Sequence, residues 1–424
     1  MKGHPYYNSP PPQSGVNPYF SRRIGLVNGV SIPIKYGGRL IGNMGKNNIA
    51  LIHVRTGEED ALKSESFTVA RYRRDFWKES SIGVLYTLRS TKDDILLDQM
   101  VQDRNTLGAD LTLSTSEFLG NKVLQFSAFF VGHNPASRLD ESTSLTDRYA
   151  SGLRFNFPNQ PWSAWVSYRE FGDAYDPAVG FNPRNGFKRL QPSINYAPLF
   201  EKSNIIREIQ WGIRYEYLTS LENKLLTENL AFTLGELRFE SGEEIEVQVF
   251  RNFEFLDENF DILGDNSLIV PPGEYANWGY ELGVSTASFR KISESISYEA
   301  GGFWTGNISS FELGLIYRPL PGINLGSEYI HSKVIAENQG FDTNLFTANL
   351  GFDFTPDISL SSNIQYDDVS NVLGTNTRFR WIITPGTDVF FVYNHNWLDD
   401  PALQKRFITL QQGGAMKIVY TYRF

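Results

Sequence analysis

The stretch "EIQWGIRYEY", residues 208–217, alternates without a break. Ile209, Trp211, Ile213, Tyr215 and Tyr217 fall on one side, and Glu208, Gln210, Gly212, Arg214 and Glu216 on the other. A period of two is a strand's period, because successive side chains leave the backbone in opposite directions. One face is apolar and aromatic; the other carries charge. Ten such residues match the roughly 9–11 that a tilted strand needs to cross a bilayer.

The pattern recurs along the chain, and helical periodicity is nearly absent. Phe346, Ala348, Leu350, Phe352 and Phe354 oppose Thr347, Asn349, Gly351 and Asp353. After the turn "TPD" (355–357), Ile358, Leu360, Ile364 and Tyr366 oppose Ser359, Ser361, Asn363 and Gln365, so the pair reads as a hairpin with matching apolar faces. The C-terminal "MKIVYTYRF" (416–424) places Met416, Ile418, Tyr420, Tyr422 and Phe424 on one side. The phase slips at Leu234–Gly235 in "FTLGELRF", which reads as a bulge, and "VFFVYN" is apolar on both faces.

A water-soluble sandwich also produces alternation. The connections separate the two architectures. Short turns at 384–386, 355–357, 318–322, 290–294, 240–244, 158–161 and 118–122 alternate with generally longer links, among them 395–413, 255–275, 171–187, 132–146 and 90–104. Short turns on one side and long loops on the other mark an up-and-down membrane barrel; Greek-key sandwiches have no reason to obey that order.

Composition agrees. No apolar run approaches the roughly 18 residues of a spanning helix, hydrophobic content is 41% and mean hydropathy is −0.31. Aromatics reach 14%, an excess used in membrane-interface girdles and also in carbohydrate-binding β proteins. Cysteine is absent, which excludes disulfides and thiolate chemistry, and a net charge of −9 with pI near 5.3 argues against nucleic acid as a partner. The N-terminal "MKGHPYYNSPPPQSGVNPYF" has no apolar core and is not a secretory signal. Since an outer-membrane chain must be exported, the expectation is either a fragment lacking its upstream part or a failure of the membrane reading.

The expected fold is therefore all-β: a transmembrane antiparallel up-and-down β-barrel of about 20–22 strands, with 22 favoured because single-chain bacterial barrels are usually even-numbered. Residues 1–18 read as a Pro-rich linker or partial plug segment, and 19–424 as the barrel. The expected place is the cell outer membrane, against lipid and lipopolysaccharide. Tyr420, Tyr422 and Phe424 are the expected C-terminal signal for barrel-assembly machinery.

At "YFSRRIGLVNGVSIPIKYGGRLIGNMGKNNIALIHVRT" (19–56), "FTVARYRRDFWKESSIGVLYTLRS" (67–90) and "NTRFRWIITPGTDVFFVYN" (376–394), the chain resembles the C-terminal domain of unknown function of Bacteroidetes-type proteins. In that family a carbohydrate-binding-like β-sandwich of the family-nine module type precedes the barrel. The resemblance runs through 19–424 and implies an outer-membrane barrel without its upstream sandwich, with that carbohydrate-binding domain as an attached or separate partner. No catalytic motif travels with it, so no enzyme activity and no cofactor is expected.

Charges at alternate positions are the candidate lining of a lumen: Arg71, Arg73, Arg89, Arg154, Arg169, Glu208 and Arg214 in the first part, then Glu216, Glu244, Glu246, Glu328, Asp353, Arg378 and Arg380. Arg22, Arg23 and Arg74 flank the same N-terminal block. Two readings of Arg71 and Arg73 stand side by side. They form a basic strip that attracts anions or saccharide carboxylates, or they pair with acids such as Glu208, Glu216, Glu244 and Glu328 and fill the interior, the plainer arrangement for a polar wall. His4, His53, His133, His331 and His395 are scattered without metal-ligand spacing. His133 before "NPASRLDES" is the one histidine placed to serve a membrane hydrolase, and an inert loop residue is its bland alternative. Asp257, Glu258, Asp261 and Asp265 suggest calcium by charge, but their spacing is not that of an EF-hand. Functionally, a pore or transporter for a small polar or glycan-derived solute stands against a barrel that anchors, displays or exports the missing sandwich.

Overall fold

The structure, a computed structural model, describes residues 16–27, 30–59, 63–91, 103–135, 144–262, 264, 268–336, 339–400 and 407–421. It is built of strands, with one short 3-10 turn at Ser21–Arg23, and no helix among the described residues is long and apolar enough to cross a membrane.

The chain divides into two compact units: Met1–Ile194 with Arg214–Glu228, and Asn195–Ile213 with Asn229–Phe424. In the first unit β1 (Leu26–Val27) and β2 (Val30–Ser31) form a small ribbon. Then come β3 (Ile34–Met44), β4 (Asn47–Thr56), β5 (Glu65–Phe76), β6 (Ser80–Thr91), β7 (Arg104–Phe118), β8 (Lys122–His133), β9 (Tyr149–Pro158) and β10 (Trp162–Phe171). Each pairs antiparallel with the next. Strands β11 (Phe187–Tyr196), β12 (Ile206–Ser220) and β13 (Leu225–Phe239) run across the division.

The second unit continues with β14 (Glu244–Leu256), a ribbon of β15 (Phe260–Asp261) and β16 (Ile269–Val270), then β17 (Gly273–Ser285), β18 (Ile292–Phe303), β19 (Gly306–Tyr317) and β20 (Ile323–Ala336). It ends with β21 (Gln339–Thr355), β22 (Ile358–Asp367), β23 (Val372–Thr384), β24 (Thr387–Asp399) and β25 (Phe407–Val419). Here too every long strand from β14 onward pairs antiparallel with the next. Setting aside the two ribbons, 21 long strands follow one another among the described residues, inside the expected 20–22 and one short of the favoured 22.

Alternation sets which way each side chain points. In the first unit Leu51, Tyr72, Val84, Leu107, Phe130 and Phe155 are exposed on the apolar face; in the second, Trp278 (55%), Leu282, Ile296, Leu313, Phe346 and Trp381 are exposed in the same way. No second sheet covers this face among the described residues, which removes the sandwich alternative. Trp211 and Ile213 are exposed as the opening stretch requires, and Tyr420 is 73% exposed. The phase does slip in β13: Leu234 is exposed, whereas Glu236, two positions on, is buried.

The alternation of short and long connections is only partly realised. Residues 221–224, 304–305 and 368–371 are tight turns on the side expected to carry long loops. The supposed long link 395–413 is mostly strand, because β24 reaches Asp399 and β25 begins at Phe407. Several strands are 13–17 residues long, more than a bilayer requires, so ladder pairing has absorbed polar stretches that read as loop.

Candidate functional site

In the first unit the polar face of the sheet is covered. The link 172–186, expected as an external loop, folds onto it instead. Its "DP", "NP" and glycine positions favour turns over a ladder, and Tyr175, Ala178 and Val179 give it an apolar side of its own. Tyr175, 1% exposed, packs with Val16, Val131, Ala150, Phe171, Phe187 and Leu218. Val179 is fully buried with Phe67 and Val69, and Tyr19, Ile24, Ile52 and Leu85 pack around them.

The chain before β1 lies alongside this link. Phe181 N–H donates to Asn17 O at 2.9 Å, Phe20 N–H to Val179 O at 2.8 Å, and Arg23 Nε to Gly180 O at 2.8 Å. A side chain at Gly180 would run into the Asn17 carbonyl, so only glycine allows the two segments to approach this closely. Arg104 Nη2 donates to the Asp176 carbonyl at 2.7 Å, which ties the link to β7. Link and N-terminal segment together form a small plug.

Against the plug lies a cavity of about 760 Å³. One group of its lining residues is apolar (Val16, Tyr19, Ile52, Val69, Leu85), and another is polar and charged (Arg71, Asp110, Gln125, Arg154, Asn156, Arg169). Arg71 forms an ion pair with Asp110 and reaches it by lying across Gly83 of the strand between them; a side chain at Gly83 would collide with the guanidinium. Arg154 stacks on the indole of Trp165, 4.4 Å from its centroid, and has no carboxylate within ion-pair distance among the described residues. Arg169, 4% exposed, is on the neighbouring strand, opposite Gly152. Arg189 approaches Glu216 at 3.7 Å.

The polar face of the second unit has the opposite sign. Arg238 holds three carboxylates, Glu208 at 3.2 Å, Glu244 at 3.4 Å and Glu236. Beyond it, Glu246, Glu281, Glu299, Glu312 and Glu328 follow on β14, β17, β18, β19 and β20. Glu312 and Glu328 are within side-chain hydrogen-bonding reach of each other. Arg380 pairs with Asp388 at 2.9 Å, and it and Arg378 lie over the Phe390 ring at 5.6 and 4.7 Å.

The candidate residues are thus distributed rather than gathered. Arg71, Arg154 and Arg169 share the cavity; Arg73 pairs with Asp75 at 3.1 Å on its own strand. Arg89 makes a two-pronged contact with Glu65 at 2.8 and 3.0 Å. Arg214 is exposed, and Asp353 is exposed beside the turn at Gly322, whose carbonyl receives its N–H. The acids proposed as partners of Arg71 and Arg73 belong to other cations or lie in the other unit's acidic row. Sequence reasoning missed Asp110, Trp165, Arg189, Glu236 and Arg238, although each sits at a polar-phase position of an alternating segment.

Both ring nitrogens of His133 are engaged with backbone groups, Nδ1 with Asn134 O at 2.7 Å and Nε2 with Asp176 N–H at 2.8 Å. That leaves it none with which to act as a base. His53 bonds Thr68 at 2.9 Å and His331 bonds Asn344 at 3.0 Å. His395 lies between Tyr393 and Thr409, and His4 is outside the described residues. Asp257 and Glu258 are exposed, Asp265 lies outside the described residues, and no group of three or more potential ligands able to hold a metal occurs among those described. Tyr422 and Phe424 are also outside them.

No protein-family model matches the chain, and no curated protein matches it. Among solved structures it is similar to the open form of the ferric-catecholate import receptor Fiu from E. coli K12, at 10% identity and TM-score 0.49, over 91% of this chain and 74% of that one. A second similar structure is BauA, the ferric preacinetobactin receptor from Acinetobacter baumannii, at 10% identity and TM-score 0.38, over 90% and 74%.

Proposed function

We propose that the chain is an integral outer-membrane β-barrel, with a polar lumen that binds or passes a small polar solute. The carrying observation is the apolar face, exposed strand after strand in both units, where a soluble monomer rarely exposes more than a few contiguous apolar residues. Lipid is the environment that such a face requires. On this reading the 14 charged candidate residues line or brace the lumen, Tyr420, Tyr422 and Phe424 serve assembly, and lipopolysaccharide surrounds the outer end.

A second reading is favoured by the plug. A polar face already filled by 172–186 and the segment from Val16 suits a barrel that anchors or displays an upstream carbohydrate-binding-like domain of the family that the sequence resembles. Planar-bilayer conductance of the purified full chain tests the two. Discrete channel openings support the solute path, and silence with exclusion of small sugars from vesicles supports the anchor.

A further inference from the structure

We propose that the cavity of the first unit is a binding site for a small organic anion with an apolar body, its carboxylate received by Arg154. The inference rests on the reading of this face as a solute path and gives that path a ligand class. A volume of about 760 Å³ is in the usual range for small-molecule sites. The chemistry of the lining selects among occupants. Val16, Tyr19, Ile52, Val69 and Leu85 gain from apolar contact and offer a neutral sugar little to bond. At the polar end Arg71 is neutralised by Asp110, whereas Arg154 is held from one side by the Trp165 indole and has no carboxylate partner among the described residues. A guanidinium stacked on a ring keeps its in-plane N–H groups available, the geometry that carboxylates use. Gln125 and Asn156 supply amide donors to the same space. A bare inorganic ion would leave the apolar end wet, and a neutral apolar solute would leave Arg154 unsatisfied.

The test is isothermal titration of the purified full chain with 3-phenylpropionate and, separately, with its neutral amide. Saturable binding of the acid is expected, with the amide weaker by about tenfold or more, the scale of a lost charged hydrogen bond. Arg154→Gln should weaken the acid by a similar factor, and Arg154→Lys, which keeps the charge, should lose only a few-fold. Leu85→Trp, which fills the apolar end, should weaken acid and amide alike. Equal binding of acid and amide, no saturable heat from the acid, or undiminished binding in Arg154→Gln overturns the proposal; the wild-type comparison needs no variant to fold. Conductance without acid binding would sink this inference alone. Acid binding in an electrically silent barrel would sink the solute path and leave the site.

Discussion

Asp176 donates its backbone N–H to Nε2 of His133 at 2.8 Å, while Nδ1 of the same ring lies 2.7 Å from the Asn134 carbonyl. The two contacts fix the tautomer: the proton is on Nδ1 and the lone pair on Nε2 faces the link. One neutral imidazole, 6% exposed, therefore pins the plug to the end of β8. His133→Ala should leave the Asp176 N–H without its acceptor and cost about 1–3 kcal/mol locally. The readout is trypsin cleavage after Arg184, an exposed residue of the link, which should accelerate while global unfolding in urea barely moves. The sign with pH follows from the same geometry. The contact exists with the ring neutral and is lost as acid puts a second proton on Nε2, so the wild type should become more cleavable as pH falls, and His133→Ala should lose that dependence.

Gly83 and Arg71 form a second interlocking pair. Since the Arg71 side chain crosses the space a side chain at Gly83 would fill, Gly83→Val should displace the guanidinium from Asp110 and cost about 1 kcal/mol or less, the scale of a partly exposed ion pair. In an Arg71→Ala background the same substitution should be close to neutral. A double-mutant cycle by urea unfolding in lipid vesicles measures this, and additive effects would show that the two sites are independent.

The apolar face offers the plainest check of the environment. Ile213 is exposed beside Trp211 on β12, so Ile213→Arg is expected to cost about 2–4 kcal/mol if it lies near the bilayer midplane. Loss of the heat-modifiable, membrane-inserted form would be the readout. Full insertion and unchanged stability would mean that this face meets water.

Glu312 and Glu328 face each other on adjacent strands, diagonally across the β19–β20 ladder, and neither has a cationic partner among the described residues. Two carboxylates this close repel when both are ionised. Glu312→Gln should therefore raise the urea midpoint slightly, and more so at low salt, where screening is weakest.

How much of this was legible follows from what each feature depends on. Strand identity and facing in β12, β21 and β22 are local, because alternation is written into adjacent residues, and these were readable from "EIQWGIRYEY" outward. Even the phase slip at Gly235 was visible. Partnerships were not. Arg71 meets Asp110 through a glycine on a third segment, and Arg238 gathers acids from three strands, relations set by register rather than by any local pattern. The plug was hidden for a similar reason. A Gly- and Pro-rich link reads as a loop wherever it goes, and only Tyr175, Ala178 and Val179, apolar residues in a segment assigned to water, indicated that it would turn onto the sheet.

The plug itself separates pore from anchor. Tyr175 and Val179 are the two side chains that root the link in the sheet, one in the cluster around Phe171 and the other against Phe67. Replacing Ala174–Phe181 by a Gly-Ser segment of equal length removes both roots, leaves only main-chain groups to hold the segment against Asn17 and Phe20, and changes no residue of a strand. If the polar face is a path that the plug restricts, the variant should conduct more than the wild type in planar bilayers and admit larger sugars in vesicle swelling, with its melting profile little changed. If the plug is instead part of the interior that holds an anchor together, conductance should stay near zero and the barrel should unfold at lower urea, because Phe67, Phe171 and Val131 lose the apolar surface that buries them. The two outcomes move different observables, so each reading can fail without the other being assumed.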